Sequence, residues 1–175
     1  MSLLKLLGIG KKENTNSVHV SESEATRRLA AQLSDIEPSK ARYIACFAYL
    51  LSRVARADMQ VSNVETKAME RVLENEAGLT VREASLVVEM TRNRGEVFGG
   101  TDDFIVTREF NNIASREQKL MLLRCLFAVA AADHDVSSEE DVEIRQIASE
   151  LNLDHRDFIA ARVGFKSDLS VLHKP

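Results

Sequence analysis

The sequence predicts an all-α fold of about eight helices in two related halves, and three observations carry that expectation. Apolar side chains recur at intervals of three and four in segment after segment, the spacing that lines one face of a helix. Ser or Thr followed three positions later by Glu or Gln marks the expected helix starts: Ser21 with Glu24, Ser62 with Glu65, Thr80 with Glu83, Ser115 with Gln118 and Ser137 with Glu140. In this pairing each side chain accepts from the other residue's backbone N–H, so two donors left over at a helix start are satisfied together. Third, one stretch of the chain recurs. Ala57-Asp58-Met59-Gln60-Val61-Ser62-Asn63-Val64-Glu65 returns as Ala132-Asp133-His134-Asp135-Val136-Ser137-Ser138-Glu139-Glu140, at a constant offset (133 − 58 = 75). The same offset pairs Leu51 with Leu126 and Ala55 with Ala130, so the match runs back into the preceding helix. Two helix–turn–helix units related by a pseudo-twofold axis follow, with Asp58 falling over Asp133.

Caps and apolar stripes place the elements in chain order. Residues 1–20 read as a flexible N-terminal tail, and the helical domain as residues 21–165, in halves 21–94 and 101–165. Ser21 opens a helix to about 36 with Leu29 and Leu33 on one face, and Pro38 stops it. The second helix, about 39–57, carries the stripe Phe47, Leu51 and Val54. The third, 63 to about 77, is expected to turn Val64, Ala68 and Val72 inward and to stop at Gly78. Thr80 caps a fourth to about 94, with Ala84, Val87, Val88 and Thr91 on its inner face. Gly95 to Gly100 reads as a loop between the halves, with Phe98 anchored in the core. A fifth helix runs to about Ala114 with Val106, Phe110 and Ile113 inward, and a sixth spans about 116–132. The seventh, 138 to about 151, has Val142, Ile144, Ile147 and Ala148 as its apolar positions, and Asp154 caps an eighth to about Phe165. Residues 166–175 read as a C-terminal tail. No β-structure is expected beyond a bridge between Val61 and Val136.

Composition excludes several classes of function. The chain has 175 residues, 45% hydrophobic and 29% charged, which fits one soluble domain with a substantial core. No apolar run approaches the roughly 18–20 residues of a membrane-crossing helix. The two cysteines, Cys46 and Cys125, both lie in apolar helical segments and read as buried small hydrophobes. Net charge is −4, positive over residues 1–56 and most negative after Asp133. Without a dense basic stripe and with aromatics at 5%, the chain is not expected to bind nucleic acid. Leu3, Leu4, Leu6 and Leu7 beside Lys5, Lys11 and Lys12 suit either a peripheral contact with an anionic membrane or docking onto the domain.

The duplicated turn holds the candidate site. Glu65 and Glu140 are explained locally as capping partners of Ser62 and Ser137. Asp58 and Asp133 have no such explanation, because each ends an apolar stripe at a helix C-terminus, where the helix dipole disfavours a negative charge. Each needs backbone N–H groups of the turn, an arginine or a bound cation. The turn is not a calcium-binding EF-hand loop. Aligning Glu140 with that loop's last ligand puts Val129 and Ala131 at its first two ligand positions. If the halves converge, Asp58, Glu65, Asp133 and Glu140 could share one divalent cation: calcium, magnesium or manganese by their hard oxygens, or less readily zinc with His134. No phosphate-cradling glycine loop, paired-histidine motif or nucleophile elbow occurs, so no catalytic residue and no other cofactor are expected.

Two copies of Ala-Asp-x-x-Val-Ser-x-x-Glu, each between a long apolar helix and an amphipathic one, resemble the TerB-like (tellurite-resistance-associated) family over about residues 39–165. The resemblance implies an all-helical fold, and acidic turn residues proposed to bind metal, here Asp58, Glu65, Asp133 and Glu140. Where that family commonly has Gly after the Asp, this chain has Met59 and His134. It further implies a role in tellurite and stress resistance, often near the inner face of a bacterial membrane. The expected function is thus a cytoplasmic, non-enzymatic interaction module with a protein partner. The alternative is a metal-dependent hydrolase-like enzyme built on the same four acidic residues.

Overall fold

A helical stretch that is apolar around its whole circumference has to be wrapped by other elements, and Pro38–Val54 contains one, from Ile44 to Leu51. In the computed structural model of the protein, which describes residues 2–10, 23–55, 63–99, 103–133, 135–166 and 169, this segment forms the centre. The helices are α1 (Leu3–Leu6), α2 (Glu24–Ser34), α3 (Pro38–Val54), α4 (Asn63–Ala77), α5 (Val81–Arg92), α6 (Arg94–Phe98), α7 (Asp103–Ile113), α8 (Arg116–Ala130), α9 (Ser138–Glu150) and α10 (His155–Val163). A 3-10 turn, Ala131–Asp133, extends α8. The fold is all-α. Among the described residues the one β-type pairing is an isolated parallel bridge between Val136 and Leu169.

Every residue of α3 from Ile44 to Ser52 is buried. Around it pack α5, α7, α8 and α9, with α1, α2 and α6 completing the shell. Tyr49 meets Phe98 edge-on at 5.1 Å between ring centroids. Phe47 meets Phe110 edge-on at 6.4 Å. Both are favoured aromatic geometries. A second aromatic group, Phe127 with Phe158 and Phe165, closes α8 against α10 and the chain beyond it. Cys46 on α3 and Cys125 on α8 are buried free thiols.

The offset between the two turns maps α2–α5 onto α7–α10, and partner choice follows it in part. The α5 helix lies on α3 as α10 lies on α8, and α4 lies on α8 as α9 lies on α3. Elsewhere the halves differ: α7 packs on α3, whereas the principal neighbours of α2 are α1, α3 and α6. Superposing the two turns involves Asp58, which lies outside the described residues, as does Val61.

The eight longer helices fall where the sequence places them, and the differences have physical causes. Residues 2–10, assigned to the N-terminal tail, take the docked alternative that the sequence left open, with Leu3, Leu4 and Ile9 buried. The loop expected over 95–100 contains α6, which presents Val97 and Phe98 to the core. Gly99, at φ 55°, ends that helix in a conformation open to glycine. Ser23, not Ser21, caps α2, its hydroxyl accepting from the Thr26 N–H at 3.1 Å. In α4 the inner positions are Met69, Leu73 and Ala77, while Ala68 is exposed and Val72 half-buried. Two apolar stripes compete there, and the one with Met and Leu removes more apolar area from water. Val142, one of the apolar positions read on the seventh helix, is 63% exposed. Leu169, expected in a tail, is buried and bridged to Val136.

Candidate functional site

The second acidic turn is built between α8 and α9. Its chain leaves α8 through the 3-10 turn that Asp133 closes, then extends through Val136, whose bridge to Leu169 holds it down. Ser137 caps α9 with extended backbone angles (φ −63°, ψ 159°). Its hydroxyl oxygen accepts from the Glu140 N–H at 3.2 Å, and Glu140 Oε2 accepts from the Ser137 N–H at 2.8 Å and from its hydroxyl at 2.7 Å. Both residues are buried. Next in the chain, Asp141 accepts two bonds from Arg162, at 2.7 Å from Nε and 3.2 Å from a terminal nitrogen. This two-pronged pairing ties the first turn of α9 to α10. Reciprocal caps also form at Thr80–Glu83, Ser115–Gln118 and Asp154–Asp157.

Of the four acidic residues singled out in the sequence, the side chain of Glu140 alone is described. Asp58 lies outside the described residues; Glu65 sits in the first turn of α4 and Asp133 at the end of the 3-10 turn, with both side chains outside them. The zinc candidate His134 is outside them too, and Asp135 is exposed. Among the described residues no group of three or more His, Cys, Asp or Glu is placed to hold a metal ion. The donor chemistry at Glu140 is that of a cap, with Oε2 turned to Ser137.

A second polar centre went unread in the sequence. The Arg53 side chain, next to last in α3, is only 2% exposed. Its Nε donates to Glu143 Oε1 at 2.7 Å, and its terminal nitrogens donate to the two Glu150 oxygens at 2.7 and 3.3 Å. Asp103 lies 3.8 Å from Nε and accepts from the Tyr49 hydroxyl at 2.5 Å. Thr107 and Gln146 also donate to Glu150, at 3.1 and 2.9 Å. Arg53 therefore joins the end of α3, which leads into the first acidic turn, to α7 and α9. Burial alone would lower the Arg53 pKa, but its bonds to Glu150 and the charges of Glu143 and Asp103 outweigh it and raise the value. Burial raises the Glu150 carboxyl, and the bonds from Arg53 and Gln146 more than reverse this, leaving it below its ordinary value. The sequence signal was there: Arg42 and Arg53 are the two charges in an otherwise uncharged run from Ala41 to Val54. In the second copy of the repeat Ala128 stands where Arg53 would, so this network belongs to one half alone.

A core helix wrapped by the others, with a capped acidic turn leading out of a second apolar helix, defines an all-helical domain of the acidic-turn kind. The chain belongs to the TerB family: the family model described as tellurite resistance protein TerB matches residues 43–163, from within α3 to the end of α10 and across both turns. Among curated proteins and solved structures, no match to the chain was found. No helix among the described residues is long and apolar enough to cross a membrane.

Proposed function

We propose that this chain is a non-enzymatic helical interaction module of bacterial stress or tellurite-type resistance, and that its duplicated acidic turns take a divalent cation. One observation carries the reading: the twice-written Ala-Asp-x-x-Val-Ser-x-x-Glu turn lies within the TerB match, and the Ser137–Glu140 cap of its second copy is built as the pattern requires. The cap accounts for the Ser and the Glu of the pattern and makes no use of its Asp. In this reading Asp58 and Asp133 are the principal ligands, with Glu65 and Glu140 completing the set. Hard carboxylate oxygens favour calcium, magnesium or manganese over zinc. The module acts in the cytoplasm through a protein partner and touches the membrane peripherally through residues 1–12.

A thermal-shift titration on chelator-stripped protein tests the cation. A ligand of the native state raises the melting temperature as its concentration rises. Wild type should gain stability with calcium or magnesium, and Asp58→Asn and Asp133→Asn should each reduce that gain. Flat curves for calcium, magnesium, manganese and zinc alike would remove the cation and leave Asp133 as a residue that bonds its own turn.

A further inference from the structure

The segment 2–10 carries the leucines and the lysine that suit a lipid surface, yet it buries two of those leucines, Leu3 and Leu4, in the protein. Leu3 and Leu4 are 0% and 1% exposed and Ile9 is 3% exposed, against a surface to which α2, α3 and α6 contribute. Lys5 and Leu6 are exposed. A single helical turn such as α1 has no stability of its own in water, so its shape is borrowed from the domain. Apart from the apolar anchors, a polar attachment comes from Arg42, whose Nε donates to the Leu7 carbonyl at 2.9 Å. The chain passes Arg42 at Gly8, where φ is +76° and an added Cβ would lie 3.0 Å from a guanidinium nitrogen.

We propose that residues 2–10 are a strap with two mutually exclusive seats, the α2–α3–α6 surface and an anionic lipid surface, and that docking holds membrane affinity in check. This control rests on the membrane contact proposed above. Residues 1–12 hold Lys5, Lys11 and Lys12 and no acidic side chain, a charge pattern that anionic headgroups attract. The apolar groups that would enter the bilayer are Leu3, Leu4, Leu6, Leu7 and Ile9, and Leu3, Leu4 and Ile9 among them are the docking anchors. One set of side chains cannot fill both seats, so apparent lipid affinity is the intrinsic affinity scaled by the undocked fraction. Arg42 and Gly8 set that fraction without supplying apolar contact to lipid.

Co-sedimentation of the full chain with vesicles of phosphatidylglycerol and phosphatidylcholine, beside vesicles of phosphatidylcholine alone, tests the strap. Gly8→Ala strains the docked backbone, and Arg42→Ala removes the bond to Leu7. Each should strengthen binding to the anionic vesicles by about tenfold, the order expected when one charge-assisted hydrogen bond no longer holds the docked state. Trypsin cleavage after Lys5 should speed up in both, with the helical circular dichroism of the domain unchanged. Arg42 also lies 3.7 Å from Glu109, so Glu109→Gln is the control and should leave binding at the wild-type level. If Gly8→Ala fails to fold, Arg42→Ala stands on its own. Equal, measurable binding by wild type and the loosened variants would keep the membrane contact and overturn the latch. No binding by any of them would remove both, and equal binding to neutral vesicles would overturn the anionic seat.

Discussion

The Arg53 guanidinium is shut away from water among Glu143, Glu150 and Asp103, so each partner compensates a charge that burial alone would penalise. Arg53→Met should lower the unfolding free energy by about 3 kcal/mol in denaturant melts, because it strands two carboxylates facing the same point. Arg53→Lys should recover little, since a single ammonium cannot reproduce the fork that reaches both glutamates. Glu150 adds a pH dependence. Its folded pKa lies below the ordinary 4.5, so its stabilisation is complete above that value and is lost as pH falls through it toward the folded pKa. Melting temperatures recorded down to about pH 3 should show a shallower acid decline for Glu150→Gln than for wild type. The sequence could not name these partners, because Glu143 and Glu150 lie far along the chain from Arg53 and meet it only through tertiary packing. Local chemistry was readable: the Ser137–Glu140 cap needs only two positions within one helical turn.

At the scale of elements, the long helices could be read from caps and period, and the short ones could not. A stretch such as α6, Arg94–Phe98, is too brief for a helical period to declare itself. In α4 the period was visible but the inner face was not, because two apolar stripes lie side by side and only packing against α5 and α8 selects one. Leu73 is fully buried and Val72 only half so. Leu73→Ala should therefore cost about 3 kcal/mol and Val72→Ala about 1 kcal/mol, measured by chemical denaturation. Ser137→Ala should cost about 1 kcal/mol through loss of the cap. That loss should exceed the effect of Ser138→Ala next to it, whose side chain caps nothing in the pattern.

For the whole molecule, the position of α3 decides how the domain comes apart. This helix is buried against elements of both halves, and α4 of the first half lies on α8 of the second. Neither half can close its own core. Calorimetry should therefore show one transition, with calorimetric and van't Hoff enthalpies in agreement. A fragment of residues 21–94 should lack the cooperative melting of the full chain. The repeat in the sequence pointed to two related units. Their interdependence was not readable there, because equal motifs say nothing about which helix ends up in the middle.

The two sealed sulfurs turn that interdependence into something that can be timed. Burial pushes the Cys125 thiol up to about 12 and raises Cys46 as well, so neither supplies a thiolate near neutral pH while its surroundings stay shut. Chemical modification of either sulfur thus waits for the protein to breathe. Cys46 sits in the central helix and Cys125 in α8, one reporter for each copy of the duplicated segment. If the domain opens only as a unit, both should react with an aromatic disulfide reagent at one common rate. A faster Cys125 would mean that the second copy can loosen while the first stays closed, a rhythm no melting curve would resolve.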